Sequence, residues 1–185
     1  MERLTAILGF RAHSGWAAVV AVSCNKAILR ERIDMTTGDG FHARQPYHTA
    51  EEMTLPKART FLRQTETAAI AMAAAEIRNV IGRLAAAGYS VKAAAVLLGS
   101  GKPLPELAKI LAAHPVIHTA EGVFYRDVLL RACQTINLPV MGIRESEVLR
   151  LGHVTQEQLT AMGKLLGRPW TQDEKLSAAA ALSIS

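Results

Sequence analysis

The sequence has few cysteines, no long apolar run and no dense cluster of basic residues. Its two cysteines among 185 residues, Cys24 and Cys133, lie far apart and outside any CxxC or Cys/His cluster. This argues against a disulfide framework and favours a reducing compartment. No stretch reaches the roughly 18 apolar residues of a membrane span, and the apolar segment that ends at Gly9 is too short for a signal peptide. We therefore expect a cytoplasmic protein with no membrane partner.

Positive charge is in modest excess and is scattered along the chain. The 21 lysines and arginines against 16 acidic residues give a net charge of +5. The arginines form no long run and are not interleaved with aromatic residues. The charge permits an anionic partner, such as nucleic acid or a phosphorylated small molecule, and it also fits an ordinary solvated surface. The length and the half-apolar composition predict one globular domain over residues 1–185.

Apolar patterning predicts five strands separated by turns and helices. The predicted strands are residues 4–10, 16–23, 27–35, 91–98 and 138–143. A long loop is expected over residues 36–56. The predicted helices are residues 57–87, 104–113, 119–136, 145–151, 155–166 and 172–183.

The order of these elements predicts an α/β fold with a mixed five-stranded sheet and helices on its faces. The first three strands are expected to be antiparallel, and the strand order is expected to be 3-2-1-4-5. Ligands of such sheets bind beyond the carboxyl ends of neighbouring parallel strands. The turn after the first strand is therefore expected beside the glycine-rich turn after the fourth.

Two segments of the chain are similar to a known superfold. Residues 7–17, ILGFRAHSGWA, combine an apolar strand with a glycine-containing turn, and residues 173–182, DEKLSAAAAL, form an acidic, alanine-rich helix. With the element order, these segments resemble the ribonuclease H-like superfold, especially its Holliday-junction-resolvase-like branch. The actin-like ATPases share the opening segment. The resemblance covers nearly the whole chain and implies the same five-stranded sheet.

The resemblance also implies carboxylates that hold two Mg²⁺ ions, which clamp the attacking and leaving oxygens of a phosphodiester displacement. This sequence has Arg11 where the first carboxylate is expected and Gly99-Ser100 at the end of the fourth strand. Arginine has the wrong charge for a metal ligand, and glycine and serine supply no anion. Only Asp173 or Glu174 matches the pattern. We therefore predict no ordinary two-metal nuclease activity, no metal site and no cofactor.

An arginine in place of an acid suggests an anion site instead. Arg11 offers a planar fork of donors, His13 donates or accepts, and Ser14 adds a hydroxyl. Across the crevice, Ser100 and Lys102 belong to a GSGK turn whose backbone N–H groups and ammonium suit phosphate oxygens. The leading hypothesis is a non-catalytic binder of nucleic acid or of a phosphate-bearing ligand. The alternative is an exposed hairpin turn and a plain strand end.

A second polar cluster is compatible with the hypothesis that the protein is an enzyme. Thr119 is predicted to cap a helix, with His118 just outside it and Glu121 in its first turn. His118 and Glu121 suit an acid/base or single-metal pair of a hydrolase. A divergent metal-dependent nuclease would use Glu121 with Asp173 and Glu174, and Mg²⁺ would be needed only there. The alternative is a capped helix with surface ion pairs.

Two further hypotheses concern the loop histidines and the edge of the sheet. His42 and His48 in the long loop either close over a ligand or are simply solvated. The strand at residues 27–35 alternates as a half-exposed edge strand does. Pairing of this edge with a second chain would make the protein a structural interaction module, for example a homodimer.

Overall fold

The computed structural model describes residues 3–38, 40–99, 101 and 103–185 of the chain. Within this part, one sheet has five strands in the order β3-β2-β1-β4-β5. The strands are β1 (Leu4–His13), β2 (Trp16–Ser23), β3 (Lys26–Asp34), β4 (Tyr89–Leu98) and β5 (Val140–Arg144). The helices are α1 (Phe41–Arg44), α2 (Pro46–Glu51), α3 (Leu55–Ala86), α4 (Leu107–Leu111), α5 (His114–Thr135), α6 (Val148–Leu151), α7 (Gln156–Met162) and α8 (Gln172–Leu182).

The predicted sheet topology is confirmed. β1 pairs antiparallel with β2, and β2 pairs antiparallel with β3. β4 lies parallel to β1 on the other side, and β5 lies parallel to β4. Phe10 near the end of β1 is opposite Val96 near the end of β4. The carboxyl ends of β1, β4 and β5 therefore meet at one edge of the sheet, as expected from the element order.

Helices cover both faces of the sheet because successive residues of a strand point to opposite faces. Leu8 and Phe10 are buried against α3 and α5 on one face. Ile7 is buried on the other face against α6, α7 and α8. The central strands are apolar on both sides, which is typical of strands between two helical layers.

The last helix, α8, lies very close to β1. Gly9 makes this possible, because a Cβ at residue 9 would overlap the backbone carbonyl of Ser177. Apart from Leu176, the buried residues of α8 are small, and Ala178 to Ala181 are fully buried. Small side chains let a helix backbone approach a sheet closely, and this approach brings the first turn of α8 to the carboxyl end of β1.

Two sequence predictions about local structure are wrong. The segment 36–56 is not a plain loop, since it contains α1 and α2. Helix α5 begins at His114 instead of Thr119, with Pro115 in its first turn, where proline is tolerated. Thr119 is therefore inside the helix, and its hydroxyl donates to the Pro115 carbonyl at 3.2 Å. The capping role predicted for Thr119 is not present.

β3 lies at the edge of the sheet, as predicted. Its polar side chains have partners within the chain: Arg32 donates to Asp34 at 3.0 Å, and Glu31 binds Arg83 of α3. Charged side chains on an edge strand discourage pairing with another chain.

Among the described residues, no helix is both long and apolar enough to cross a membrane.

Candidate functional site at the carboxyl edge of the sheet

Arg11 joins the three parts of the chain that meet at the carboxyl edge. It lies near the end of β1, whereas Glu145 follows β5 and Asp173 is in the first turn of α8. The Arg11 guanidinium donates to both carboxylate oxygens of Glu145, at 3.1 and 3.4 Å, and its other terminal nitrogen donates to Asp173. A backbone bond from the Glu145 N–H to the Leu98 carbonyl, 3.0 Å long, fixes Glu145 beside the end of β4. We call these three residues the Arg11 clamp.

The electrostatics of the Arg11 clamp follow from partial burial and opposite charge. Burial lowers the pKa of Arg11, but the bonds to Asp173 and Glu145 outweigh burial and raise it. Burial alone would raise the pKa of Asp173, whereas the Arg11 guanidinium and the His13 ring hold it below its ordinary value. Both side chains are about one-quarter exposed, 25% for Arg11 and 23% for Asp173. Arg11 and Asp173 are therefore both charged at neutral pH.

His13 extends the clamp toward the turn after β1. Its Nε2 lies 3.0 Å from an Asp173 oxygen, and its ring stacks on Trp16 with centroids 4.2 Å apart. Ser14 follows in the tight turn between β1 and β2. Arg11 and His13 thus both face Asp173 instead of open solvent, which the sequence did not indicate.

Two more arginines surround the glycine-rich turn after β4. Arg126 of α5 lies against Gly99, where a Cβ would be 3.0 Å from its guanidinium, and Arg144 at the end of β5 lies against Gly101 at 3.6 Å. Burial lowers the pKa of Arg126, and the Glu145 carboxylate opposes this change. Arg144 is exposed. Ser100 and Lys102, the other residues predicted for an anion site, lie outside the described residues.

Glu121 is buried, which differs from the surface ion pairs of the alternative that the sequence left open. It is 4% exposed, and one of its oxygens accepts bonds from the backbone N–H groups of Tyr47 and His48 at 2.7 and 3.1 Å. Glu121 therefore caps α2 from another part of the chain, which explains why a helix forms there. Burial raises the pKa of Glu121 to about 7, against the lowering effect of these two bonds. Its second oxygen has no hydrogen-bond partner among the described residues.

Three histidines gather beside Glu121. His114 and His118 are one turn apart on α5, and their Nε2 atoms are 3.2 Å apart. The His48 ring of α2 lies 4.8 Å from the His118 ring and 5.1 Å from the His114 ring, measured between centroids. The His48 Nδ1 is 3.3 Å from the Glu121 carboxylate. We call His48, His114 and His118 the histidine cluster.

A small pocket connects the turn after β1, next to the Arg11 clamp, with the part of α5 that carries the histidine cluster. It has a volume of about 190 Å³, and its walls include His13 and Ser14 from the first turn and His118 and Glu121 from α5. The structure therefore places four of the predicted site residues around this one pocket.

Glu174, another predicted site residue, has a different role. It accepts a hydrogen bond from the Thr171 N–H at 2.6 Å and completes the capping box of α8.

Comparison with solved structures identifies the fold. The chain is similar to the Thermus thermophilus RuvC structure in complex with a Holliday junction substrate, with a TM-score of 0.56 and 14% identity, over 97% of this chain and 91% of that one. It is also similar to a second Thermus thermophilus RuvC structure, with a TM-score of 0.52 and 14% identity over 96% and 92% of the two chains. The fold is the ribonuclease H-like fold of RuvC. No family model and no curated protein sequence matches the chain.

The residues at the carboxyl edge of this ribonuclease H-like fold do not fit two divalent cations. The Arg11 guanidinium lies between Glu145 and Asp173, so the two carboxylates already share a positive charge. A metal ion would have to displace this guanidinium and would be repelled by it.

Sequence reasoning missed several residues that matter in this ribonuclease H-like fold. Glu145 is the first residue after the last strand, a position where a side chain reaches the edge, whereas the sequence predicts it in a short helix over residues 145–151. The predicted helices 104–113 and 119–136 leave His114 outside any helix. This hides the i, i+4 spacing of His114 and His118, which places both histidines on one helix face.

Proposed function

We propose that this protein is a single ribonuclease H-like domain, residues 1–185, that binds nucleic acid without cleaving it by a two-metal mechanism. The observation that carries the proposal is the position of Arg11 between Glu145 and Asp173. A residue of the chain supplies the positive charge there, so the edge retains its shape without metal ions. A cytoplasmic location, expected from the free cysteines, is part of the proposal.

The phosphate contacts of the proposed binding site differ from those expected from the sequence. Arg11 faces two carboxylates of its own chain, and this favours a structural role for it. Arg144 is exposed beside the glycine-rich turn, and Lys102 belongs to the same turn by sequence. Ser14 lies across the crevice on the turn after β1. An exposed guanidinium, an ammonium and a hydroxyl are groups that donate hydrogen bonds to phosphate oxygens.

The net charge of +5 and the comparison support nucleic acid as the ligand class. One of the similar RuvC structures is a complex with a Holliday junction substrate. A four-way DNA junction is therefore a suitable first probe, with duplex and single-stranded DNA as comparisons. The affinity is expected to fall steeply with salt, since phosphate contacts release counterions.

The test measures binding and cleavage on the same labelled DNA. Fluorescence anisotropy is expected to show binding, Arg144→Glu is expected to weaken it, and Arg144→Ala is expected to reduce the salt slope by about one. Arg78→Glu is the matched control, because Arg78 is exposed on α3 outside this edge. No cleavage is expected with Mg²⁺ or Mn²⁺. Metal-dependent cleavage that Asp173→Ala abolishes would refute the proposal, as would a failure to bind any of the DNAs at low salt.

Self-association through β3 is another alternative from the sequence. β3 is an edge strand, but Arg32 and Glu31 on it are engaged with Asp34 and Arg83. Light scattering at several protein concentrations distinguishes a dimer from a monomer. A protein that stays monomeric at every concentration would exclude this alternative.

A further inference from the structure

We propose that His48, His114 and His118 form a binding site for one zinc ion. This metal site differs in position and chemistry from the Mg²⁺ sites that the fold would suggest, and it goes beyond the proposed function. The nitrogen atoms that the three rings offer all lie within 4.8 Å of one another. Neutral imidazole nitrogens are preferred ligands of zinc and of other late divalent transition metals.

The positions of two of the ligands are set by helix geometry. His114 and His118 are separated by one turn of α5, so they lie on the same face of that helix. Their Nε2 atoms are 3.2 Å apart. Two ligands with metal–nitrogen bonds of about 2.0–2.1 Å in a tetrahedral site are separated by about 3.3 Å. These two rings are therefore already at the spacing that a shared zinc ion requires.

The third ligand comes from α2, which another part of the chain holds in place. The N-terminus of α2 is fixed to α5 by the bonds from Tyr47 and His48 to Glu121. Glu121 is one turn beyond His118 on α5. The helix that supplies two histidines therefore also positions the third. A site built on packed helices keeps its geometry better than one on a mobile loop.

Glu121 has the features of an outer carboxylate of a zinc site. Its oxygen contacts Nδ1 of His48 at 3.3 Å. Zinc-binding histidines commonly donate their other ring N–H to a carboxylate, which orients the ring and makes it a stronger ligand. Glu121 is buried and one of its oxygens has no hydrogen-bond partner among the described residues. A neighbouring divalent cation would compensate a buried negative charge that is otherwise expensive.

The surroundings of the proposed zinc site leave it accessible to solvent. His114 and His118 are exposed, and His118 also lines the pocket that contains His13 and Ser14. Three protein ligands leave the fourth tetrahedral position open for water or for a ligand in the pocket. The proposed site is therefore an open, three-histidine site at the mouth of that pocket.

The experiment measures zinc binding by the full chain, after chelation and removal of the chelator. Isothermal titration with ZnCl₂ is expected to show one site, and Co²⁺ is expected to give the visible spectrum of a tetrahedral complex. His114→Ala and His118→Ala should each remove the site, and both residues are exposed, so these variants should fold. Glu121→Gln is expected to weaken zinc binding about 10- to 100-fold. His153→Asn is the control, since His153 is exposed and distant in the fold.

Three results would overturn the zinc site: no titratable Zn²⁺, unchanged binding in the His114→Ala/His118→Ala double variant, or an equal loss in His153→Asn. Circular dichroism of each variant verifies that the helices remain. The outcome is independent of the DNA experiment, because Arg144→Glu is expected to change DNA affinity and leave zinc binding unchanged.

Discussion

Arg11 on the first strand and Asp173 on the last helix are 162 residues apart in the sequence, and they bind each other directly. The contact joins the sheet to the helix that packs closest against it. Glu145 binds the same guanidinium through two oxygens, so the carboxyl ends of β1 and β5 and the start of α8 are held together by one cation. This arrangement has consequences for stability that can be measured.

The Arg11–Asp173 pair is expected to stabilise the fold measurably. A double-mutant cycle with Arg11→Ala and Asp173→Ala should give a coupling free energy of about 1–2 kcal/mol, because both side chains are mostly shielded from water. The control cycle uses Glu147 and Arg150, which are one turn apart, 44% and 72% exposed, with a 3.8 Å contact. That pair should couple by about 0.5 kcal/mol or less. Equal coupling in the two cycles, measured by urea unfolding, would contradict the prediction.

The contribution of Asp173 is expected to depend on pH. Its pKa is lowered in the folded state, so it stabilises the fold at pH values above the ordinary aspartate pKa of about 4. The contribution should disappear as the pH falls from that value through the lower folded pKa. The free energy of unfolding of the wild type should therefore exceed that of Asp173→Asn at neutral pH and approach it in acid. A difference that stays constant from pH 7 to about pH 3 would show that ionisation of Asp173 is not involved.

The fold could be predicted because the pattern that specifies it is local. The apolar runs of β1, β2 and β4 and the long helical repeat of α3 reveal the elements, and the rules of strand connection then give the order 3-2-1-4-5. The partners of Arg11 could not be predicted in the same way. Glu145 and Asp173 reach it only through the tertiary register of β5 and α8, and nothing near Arg11 in the sequence indicates them.

The histidine cluster could not be predicted from the sequence either, because it depends on where α5 begins. The predicted helices 104–113 and 119–136 separate His114 from His118, whereas α5 begins at His114 with Pro115 in its first turn, where proline is common. Helix α2 was not predicted from the sequence, for a different reason. Its N-terminus is capped by Glu121, which is 74 residues from Tyr47. Pro46 in the first turn is a local start signal, but the capping carboxylate lies far away in the sequence.

Gly9→Ala is expected to destabilise the protein strongly. The new Cβ would overlap the Ser177 carbonyl and lie 2.8 Å from the Ala181 nitrogen, so α8 would have to move away from β1. Overpacking of this kind costs about 1–3 kcal/mol or more. Gly82→Ala is the matched control, because Gly82 lies in α3 and, apart from the adjacent backbone of that helix, no atom lies within 4 Å of the new methyl group. It should increase stability by about 0.5–1 kcal/mol. Thermal unfolding distinguishes these opposite effects.

The two cysteines are expected to differ in reactivity. Cys24 is exposed, whereas Cys133 is fully buried in α5. Burial raises the pKa of Cys133 to about 12, and only the thiolate reacts rapidly with disulfide reagents. A disulfide reagent should therefore modify one thiol in the folded protein and two in denaturant. Rapid modification of the folded Cys24→Ser variant would show that the helix around Cys133 opens readily.

Replacing Arg11 by an acid should convert the clamp into a cation site. Arg11→Asp places a third carboxylate beside Glu145 and Asp173, and like charges this close destabilise the fold. A divalent ion relieves this repulsion, so Mg²⁺, which prefers oxygen ligands over imidazole, should raise the melting temperature of Arg11→Asp and leave the wild type unchanged. At about 100-fold excess over the dissociation constant, the stabilisation is about 2.7 kcal/mol. Arg11→Asn, which lacks both charges, should respond less. If Mg²⁺ stabilises the wild type as much as Arg11→Asp, then Arg11 does not occupy the place of a metal.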